Sequence, residues 1–241
     1  MWYKKKVQLS ANNSVWDAPE KYGWFSIGIE WDSPKAVSDF QEDEDIRDSV
    51  EDNCLLATAQ LERVGFPKQH SYILFSDIYV HNDITGGEAG ASAESHFIRF
   101  PTTALYNEDW AKTLVHEWAH KYFKNLNKGS KAYFSNQYEG LVKNNIELDN
   151  SPELLEMIEE VIPEDIKEKF PDDFDIWKIY TINSLHKPEM ENIRGYIQRK
   201  GIVPSSYAAS DAEEMWCECV SNYSKLSREL RQVVSNIIGG Y

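Results

Sequence analysis

Apolar residues in the first half of the chain recur at intervals that predict one long helix and several strands. Residues 44–64 carry apolar side chains every three or four positions, which is typical of an amphipathic helix: Ile46, Val50, Cys54, Ala57, Leu61 and Val64. Glu42–Asp45 supplies an acidic first turn, and Gly65 with Pro67 predicts the end of the helix.

Three shorter apolar runs predict strands at 24–29, 70–75 and 95–100. The last run alternates apolar and polar residues and stops at Pro101, as expected of a half-buried strand. Gly86–Ala91 predicts a loop between the second and third strands. We expect a small mixed sheet backed by the 44–64 helix, with the 95–100 strand at the edge, where an extended peptide could add by backbone hydrogen bonds.

The second half of the chain is predicted to be helical. A helix is expected from about Glu108 to Phe123, and another helical region from Ser210 to Gly239. Prolines divide the stretch between them into short helices, and residues 147–175 hold twelve acids against two lysines. We interpret 124–200 as a helical insert or lid within a single domain of residues 1–241, with a solvated helical surface as the equal alternative.

Composition narrows the functional class. The 241 residues are 41% apolar, enough for a sizeable core, and they carry a formal net charge of −15. Such an acidic chain is a poor candidate for binding nucleic acid or anionic membranes. Three cysteines are too few for a disulfide scaffold and suit a reducing compartment. With neither a signal peptide nor a membrane-length apolar run, we predict a cytoplasmic protein, with signal-free export or packaging into a virion as alternatives.

The segment Thr113–Phe123 contains the pattern His116-Glu117-x-x-His120. Residues four apart lie on one face of a helix, so both imidazoles can reach one metal ion. Glu117 is placed to accept a proton from water activated by that metal. The apolar residues of the segment share a different face, which would be buried. The pattern therefore predicts a zinc hydrolase, whose metal needs a third protein ligand.

Two glutamates compete for the position of third ligand. A metzincin is excluded because its third histidine would fall at Leu126 and its glycine at Phe123. Glu139 follows His120 after eighteen residues, a spacing that resembles aminopeptidase-type gluzincins, although the usual Trp-Leu pair before it is absent. Glu214 is separated from His120 by 93 residues and follows a predicted helix cap at Asp211.

The stretch Val203–Glu218, taken with His116-Glu117-x-x-His120, resembles the catalytic domain of anthrax-toxin lethal factor and related zincin domains of phages and bacterial toxins. The second motif of that family reads roughly Ser-x-Tyr-Ala, a capping Asn or Asp, then Glu-Phe-Phe-Ala-Glu. Tyr207, Asp211, Glu214 and Glu218 occupy its positions, while Met215-Trp216 replaces the aromatic pair and Cys217 replaces a small alanine. The resemblance covers about 30 residues in two blocks.

The resemblance implies a zincin-like α+β fold and one zinc ion held by His116, His120 and Glu214. Glu117 would be the general base, Tyr207 the donor to the developing oxyanion, and Glu218 a support behind the ligands. The expected activity is zinc-dependent hydrolysis of peptide bonds in a protein or peptide substrate. The alternative function is that of a non-catalytic acidic binding protein, either a zincin scaffold used for docking or a mimic of nucleic-acid charge.

Overall fold

The computed structural model describes residues 7–8, 14–30, 33–76, 92–93, 97–107 and 109–239. The loop predicted at Gly86–Ala91 lies outside the described residues. The strands are β1 Val7–Gln8, β2 Ser14–Tyr22, β3 Phe25–Glu30, β4 Ser71–Phe75, β5 Ser92–Ala93 and β6 Phe97–Phe100. The α-helices are α1 Pro34–Glu42, α2 Glu44–Val64, α3 Ala111–Asn125, α4 Lys128–Tyr138, α5 Asn144–Leu148, α6 Pro152–Val161, α7 Glu164–Lys169, α8 Phe174–Ser184, α9 Glu191–Arg199, α10 Ala212–Ser221 and α11 Arg228–Ile238.

The chain forms two compact units, the N-terminal unit Met1–Tyr122 and the C-terminal unit Phe123–Tyr241. The N-terminal unit holds the sheet, α1, α2 and most of α3, whereas the described part of the C-terminal unit is helical. The protein is therefore an α+β protein with mostly helices and a small mixed sheet, as predicted. The expectation of one domain with an insert at 124–200 stays a prediction.

The sheet has six described strands in the order β1-β2-β3-β4-β6-β5. Strands β3, β4 and β6 run parallel to one another, while β1, β2 and β5 pair antiparallel to their neighbours. The register places Ile27 opposite Ile73 and Ile73 opposite Ile98, and all three side chains are fully buried. These central parallel strands therefore form the apolar middle of the N-terminal unit.

The predicted edge position of the 95–100 strand is wrong. Strand β6 pairs with β4 on one side and with β5 on the other, where Ser92 opposes Arg99 and Ala93 opposes Ile98. Residues 94–96 lie outside the described residues. A strand of two residues is too short to show a period in the sequence, so the pattern could not reveal the outer neighbour. Because β5 takes the backbone pairing of Ile98 and Arg99, these residues are not an open edge for a peptide.

Helix α2 begins and ends where the sequence predicted, at Glu44 and Val64. The Asp43 carboxylate accepts hydrogen bonds from the backbone amides of Asp45 and Ile46 at 3.0 and 3.4 Å, which satisfies the first turn. Gly65 ends the helix with a φ of 100°, a left-handed conformation that glycine adopts at little cost. The buried face of α2 packs against β2, so the helix does back the sheet.

Helix α3 starts at Ala111, three residues later than predicted, because a side chain from α2 caps it. The Asn53 Oδ1 atom accepts hydrogen bonds from the backbone amides of Trp110 and Ala111 at 2.9 and 2.8 Å. Its inner face packs through Trp118, whose ring centroid lies 5.8 Å from Trp24 and 4.8 Å from Phe66. The cap and this aromatic contact fix α3 within the N-terminal unit.

The C-terminal unit has a core of aromatic and aliphatic side chains. The Trp216 ring of α10 meets Phe134 of α4 at a centroid distance of 5.4 Å, edge to face, and α11 packs beside both helices. A second group of buried side chains joins α6, α8 and α9: Leu154, Ile158, Trp177, Ile193 and Ile197. The region predicted as helical, 210–239, contains α10 and α11 separated by a 3₁₀ turn, Tyr223–Lys225.

Candidate metal centre

Two imidazoles converge on the outer side of α3. His116 Nε2 and His120 Nε2 are 3.2 Å apart, and the ring centroids are 4.9 Å apart at an angle of 72°. Both side chains are half-buried. The helix places them one turn apart on a single face, as the sequence predicted. One protonated and one unprotonated nitrogen can share a hydrogen bond at this distance, and a cation bound by both would replace it.

The two faces of α3 differ in burial in the way the apolar pattern predicted. Val115, Trp118 and Ala119 are buried, with at most 1% of each residue exposed. Glu117 was expected on the solvent side with the histidines, yet only 9% of it is exposed. A carboxylate shielded from water interacts more strongly with a nearby charge than one on an open surface, because solvent screens the interaction less.

The next residue along α3 from His120 is Lys121, and it ties the end of the helix to the sheet. Its Nζ lies 3.4 Å from Ser71 Oγ, at the start of β4. Burial lowers the pKa of Lys121. This contact and the Asn53 cap hold α3 at both sides of the histidine pair, so the pair is placed by rigid elements rather than by a loop.

Helix α10 carries two acids that the sequence singled out. Asp211 caps the helix as predicted, since its Oδ1 accepts the Glu214 backbone amide at 2.9 Å. Glu214 is half-buried and its Oε2 atom is inaccessible to water. Glu218, one turn later, is only 8% exposed, and its Oε2 accepts a hydrogen bond from Asn222 Nδ2 at 3.0 Å. Neither carboxylate is therefore part of a freely solvated acidic face.

Two further side chains that could donate to a metal, Cys217 and Glu139, have opposite surroundings. Cys217 is fully buried in α10, one turn from Glu214. Glu139 has about half of its side chain exposed and pairs with Lys143 Nζ at 3.1 Å on the same helical surface. An exposed carboxylate with a cationic neighbour one turn away resembles an ordinary surface ion pair.

Tyr207 opens a short 3₁₀ turn, Tyr207–Ala209, directly before α10. Its residue is 49% exposed, whereas Ala208 and Ala209 are fully buried. The Ala209 carbonyl accepts a hydrogen bond from Tyr138 Oη at 3.0 Å. Burial is the main cause that raises the pKa of Tyr138, followed by the nearby Asp211 and Glu139 charges, so its hydroxyl stays protonated and can donate.

Sequence reasoning missed Asn53 and Tyr138 as supports of the candidate site. Asn53 lies in the helix-forming stretch of α2, and nothing beside it in the sequence marks it as a cap for α3. Tyr138 has a weak signal, because it is the second of four buried residues at intervals of four: Phe134, Tyr138, Val142 and Ile146. Such spacing identifies an inward-facing tyrosine but gives no information about what its hydroxyl contacts.

Comparison with family models, with curated proteins and with solved structures gives no match for this chain. Among the described residues, no helix is both long enough and apolar enough to cross a membrane. The function is therefore inferred from the chemistry of the residues themselves.

Proposed function

We propose that the protein is a zinc-dependent metallopeptidase of the zincin type, with one Zn²⁺ held by His116, His120 and Glu214. The observation that carries the proposal is the 3.2 Å separation of the two Nε2 atoms on α3. Nitrogens bound tetrahedrally to zinc at about 2.0–2.1 Å lie about 3.3–3.4 Å apart. The imidazole pair therefore fits this ion with almost no rearrangement.

The third ligand in this proposal comes from α10. Glu214 has the donor type that complements two histidines in many hydrolytic zinc sites, and one of its oxygens is shielded from water. Cys217 is the alternative donor on the same helix, because a thiolate is a zinc ligand that two imidazoles can complement. Glu139 is the less favourable candidate because its carboxylate is exposed and paired with Lys143.

Each remaining residue has a separate role in the proposed reaction. Zinc in such a site supplies Lewis acidity toward a carbonyl oxygen and toward water. Glu117 accepts the proton of the attacking water and passes it to the leaving amine. Tyr207 donates a hydrogen bond to the oxyanion that develops on the scissile carbonyl. Glu218, held by Asn222, supports α10 behind Glu214.

The first prediction tests the base. Glu117→Gln keeps the size of the side chain but cannot accept a proton, so we expect unchanged zinc content and a loss of peptide hydrolysis by about 10²–10⁴-fold. The measurements are metal content after dialysis and turnover on a quenched fluorogenic peptide library. Glu51→Gln on α2, an exposed glutamate outside the site, is the matched control and should behave as wild type.

Two outcomes would contradict the proposal. A protein that takes up no zinc, or wild-type protein with zinc but without turnover on the library, would remove the peptidase assignment. If the protein is instead a non-catalytic acidic binding protein, Glu117→Gln should leave its binding activity unchanged, because docking does not require a base beside the histidines.

A further inference from the structure

The turn that carries Tyr207 is a compact unit of hydrogen bonds. Ser205 Oγ accepts the Ala208 amide at 3.1 Å, and the Ser206 carbonyl accepts the Ala209 amide at 3.1 Å. The Tyr207 carbonyl accepts both the Ser210 amide at 3.0 Å and the Ser210 hydroxyl at 2.7 Å. These bonds fix the shape of the turn, but being local they do not fix its position against the rest of the C-terminal unit.

The Tyr138 hydroxyl supplies a long-range attachment for this turn. It donates to the Ala209 carbonyl at 3.0 Å, in a buried contact between residues 71 positions apart. Ala208 and Ala209 are fully buried, and Tyr207 itself is 49% exposed. The turn is thus anchored on its alanine side, and its tyrosine points away from the core.

A π-turn follows Tyr138 directly. Residues Glu139–Lys143 form a wider helical turn between α4 and α5, in which the Asn144 amide bonds the Glu139 carbonyl five residues earlier. In an α-helix, side chains four residues apart drift by about 40° around the axis at each step. The wider turn offsets that drift, so Val142 stays on the same buried face as Tyr138.

We propose that Tyr138 is a positioning residue that holds the Tyr207–Ala209 turn, and with it the Tyr207 side chain, in place for catalysis. The catalytic half of this inference rests on the proposed peptidase function. Its structural half, the anchoring of the turn, does not. Tyr138 touches the backbone of the turn and acts on the reaction only through Tyr207.

The experiment compares two tyrosines that bury a hydroxyl in the same unit. Tyr138→Phe removes the bond to the Ala209 carbonyl and keeps the ring in the core. Tyr196→Phe is the matched control, because Tyr196 is equally buried and its hydroxyl bonds Asp149 Oδ2 at 2.6 Å instead of the turn. Amide hydrogen exchange, zinc content and turnover on the fluorogenic peptide library are measured for both variants.

We expect the Ala209 and Ser210 amides to exchange about 10-fold faster in Tyr138→Phe and unchanged in Tyr196→Phe. Zinc content should stay at the wild-type level. In turnover, kcat should fall by about 10-fold with KM within about twofold, since a misplaced donor costs transition-state stabilisation rather than substrate binding. In a Tyr207→Phe background, Tyr138→Phe should have little further effect, because the group that it positions is already absent.

Unchanged amide exchange in Tyr138→Phe would overturn the anchoring role. If Tyr138→Phe exchanges faster but has the same kcat as Tyr196→Phe, the link to Tyr207 is overturned. The link is also overturned if Tyr138→Phe still lowers kcat in the Tyr207→Phe background. Faster exchange in a protein whose wild-type form has no turnover would leave the anchor standing and remove the peptidase function instead.

Discussion

Burial separates the acidic residues that could bind a metal. Glu214 has an oxygen shielded from water, and Glu218 is almost completely buried and bonded to Asn222, whereas Glu139 is half exposed and paired with Lys143. A carboxylate shielded from water attracts a cation more strongly than an exposed one, because solvent screens the attraction less. This difference favours α10 over the π-turn as the source of a metal ligand.

We therefore expect Glu214→Ala to lower zinc affinity by more than 100-fold, while Glu139→Ala should leave it within about twofold. Glu218→Ala should lower zinc affinity by an intermediate amount, about 10–100-fold, which is the usual cost of removing a group that supports a ligand. Competition with a zinc-chelating dye measures all three variants.

Cys217→Ala tests whether the thiol, rather than Glu214, is the third ligand. The substitution replaces a fully buried side chain by a slightly smaller one and should retain zinc if Glu214 is the third ligand. Loss of zinc in Cys217→Ala with retention in Glu214→Ala would instead assign the position to the thiol. Loss in Glu139→Ala alone would favour the aminopeptidase-like arrangement.

At the scale of elements, the helix that carries both histidines begins on a side chain from another helix. Asn53 is 2% exposed, accepts two amides of the α3 start and donates through Nδ2 to the Ser49 carbonyl at 2.8 Å. The first amides of a helix have no partner within the helix, so this contact satisfies groups that would otherwise be left buried without a hydrogen bond.

Asn53→Ala should lower the free energy of unfolding by about 1–2 kcal/mol, the upper part of the range for losing a helix cap. Asn53→Asp keeps the accepting oxygen and should lose less. Urea unfolding followed by circular dichroism gives both values. Equal stability of the alanine variant and wild type would show that water or another group replaces the cap.

The elements predicted correctly are those whose signal is local. The three-to-four spacing of α2 and the Gly65 stop fix its bounds, and the short apolar runs locate β3 and β4. The imidazole pair was predictable for the same reason, since a spacing of four residues needs only a helix. The inner position of β6, the Asn53 cap and the Tyr138 anchor depend on residues far apart in the chain, and periodicity contains no information about such pairs.

The ion pair at the carboxyl ends of the parallel strands could not be predicted from periodicity either. Glu30 Oε1 lies 3.3 Å from Arg99 Nη1, and Ser76 Oγ donates to Glu30 Oε2 at 2.5 Å. Glu30 ends β3, Ser76 directly follows β4, and Arg99 lies in β6. Glu30 is only 3% exposed. The strands had to be paired in space before these groups could be recognised as one network.

The net charge of −15 is concentrated in residues 147–175, which contribute −10 from twelve acids and two lysines. Ten of these acids are exposed, while Asp149 and Asp173 are half-buried and accept backbone amides at the starts of α6 and α8. The segment also buries Leu154 and Ile158 in the core of the C-terminal unit. Deleting it would therefore disturb that core, and neutralising exposed acids is the better test of its charge.

The negative field should attract basic peptides and repel acidic ones. We expect faster cleavage of Lys- and Arg-containing peptides at low salt, with the preference weakening as salt shortens the screening length to about 10 Å at 0.1 M. Peptide-library cleavage at two ionic strengths measures it. Replacing Glu159, Glu160 and Glu168 by Gln should reduce the preference more than neutralising Glu51, Asp52 and Glu62 on α2, which changes the net charge equally.

A preference for acidic peptides, or no preference at low salt, would end the idea of electrostatic steering. Higher activity of the triple Gln variant toward every peptide, basic and acidic alike, would instead favour an inhibitory lid. The sequence could predict the sign and location of the charge, because both are properties of composition. Which acids face solvent depended on how α6 and α8 pack.

All three cysteines lie in the described part of the chain, and none forms a disulfide. Cys54 belongs to the N-terminal unit, and Cys217 and Cys219 to the C-terminal unit, each fully buried. Burial also raises the pKa of Cys54 and of Cys219, which suppresses the reactive thiolate. A thiol reagent in water can therefore react with a cysteine only when the unit around it opens. The labelling rate of each cysteine then reports how often its own unit opens.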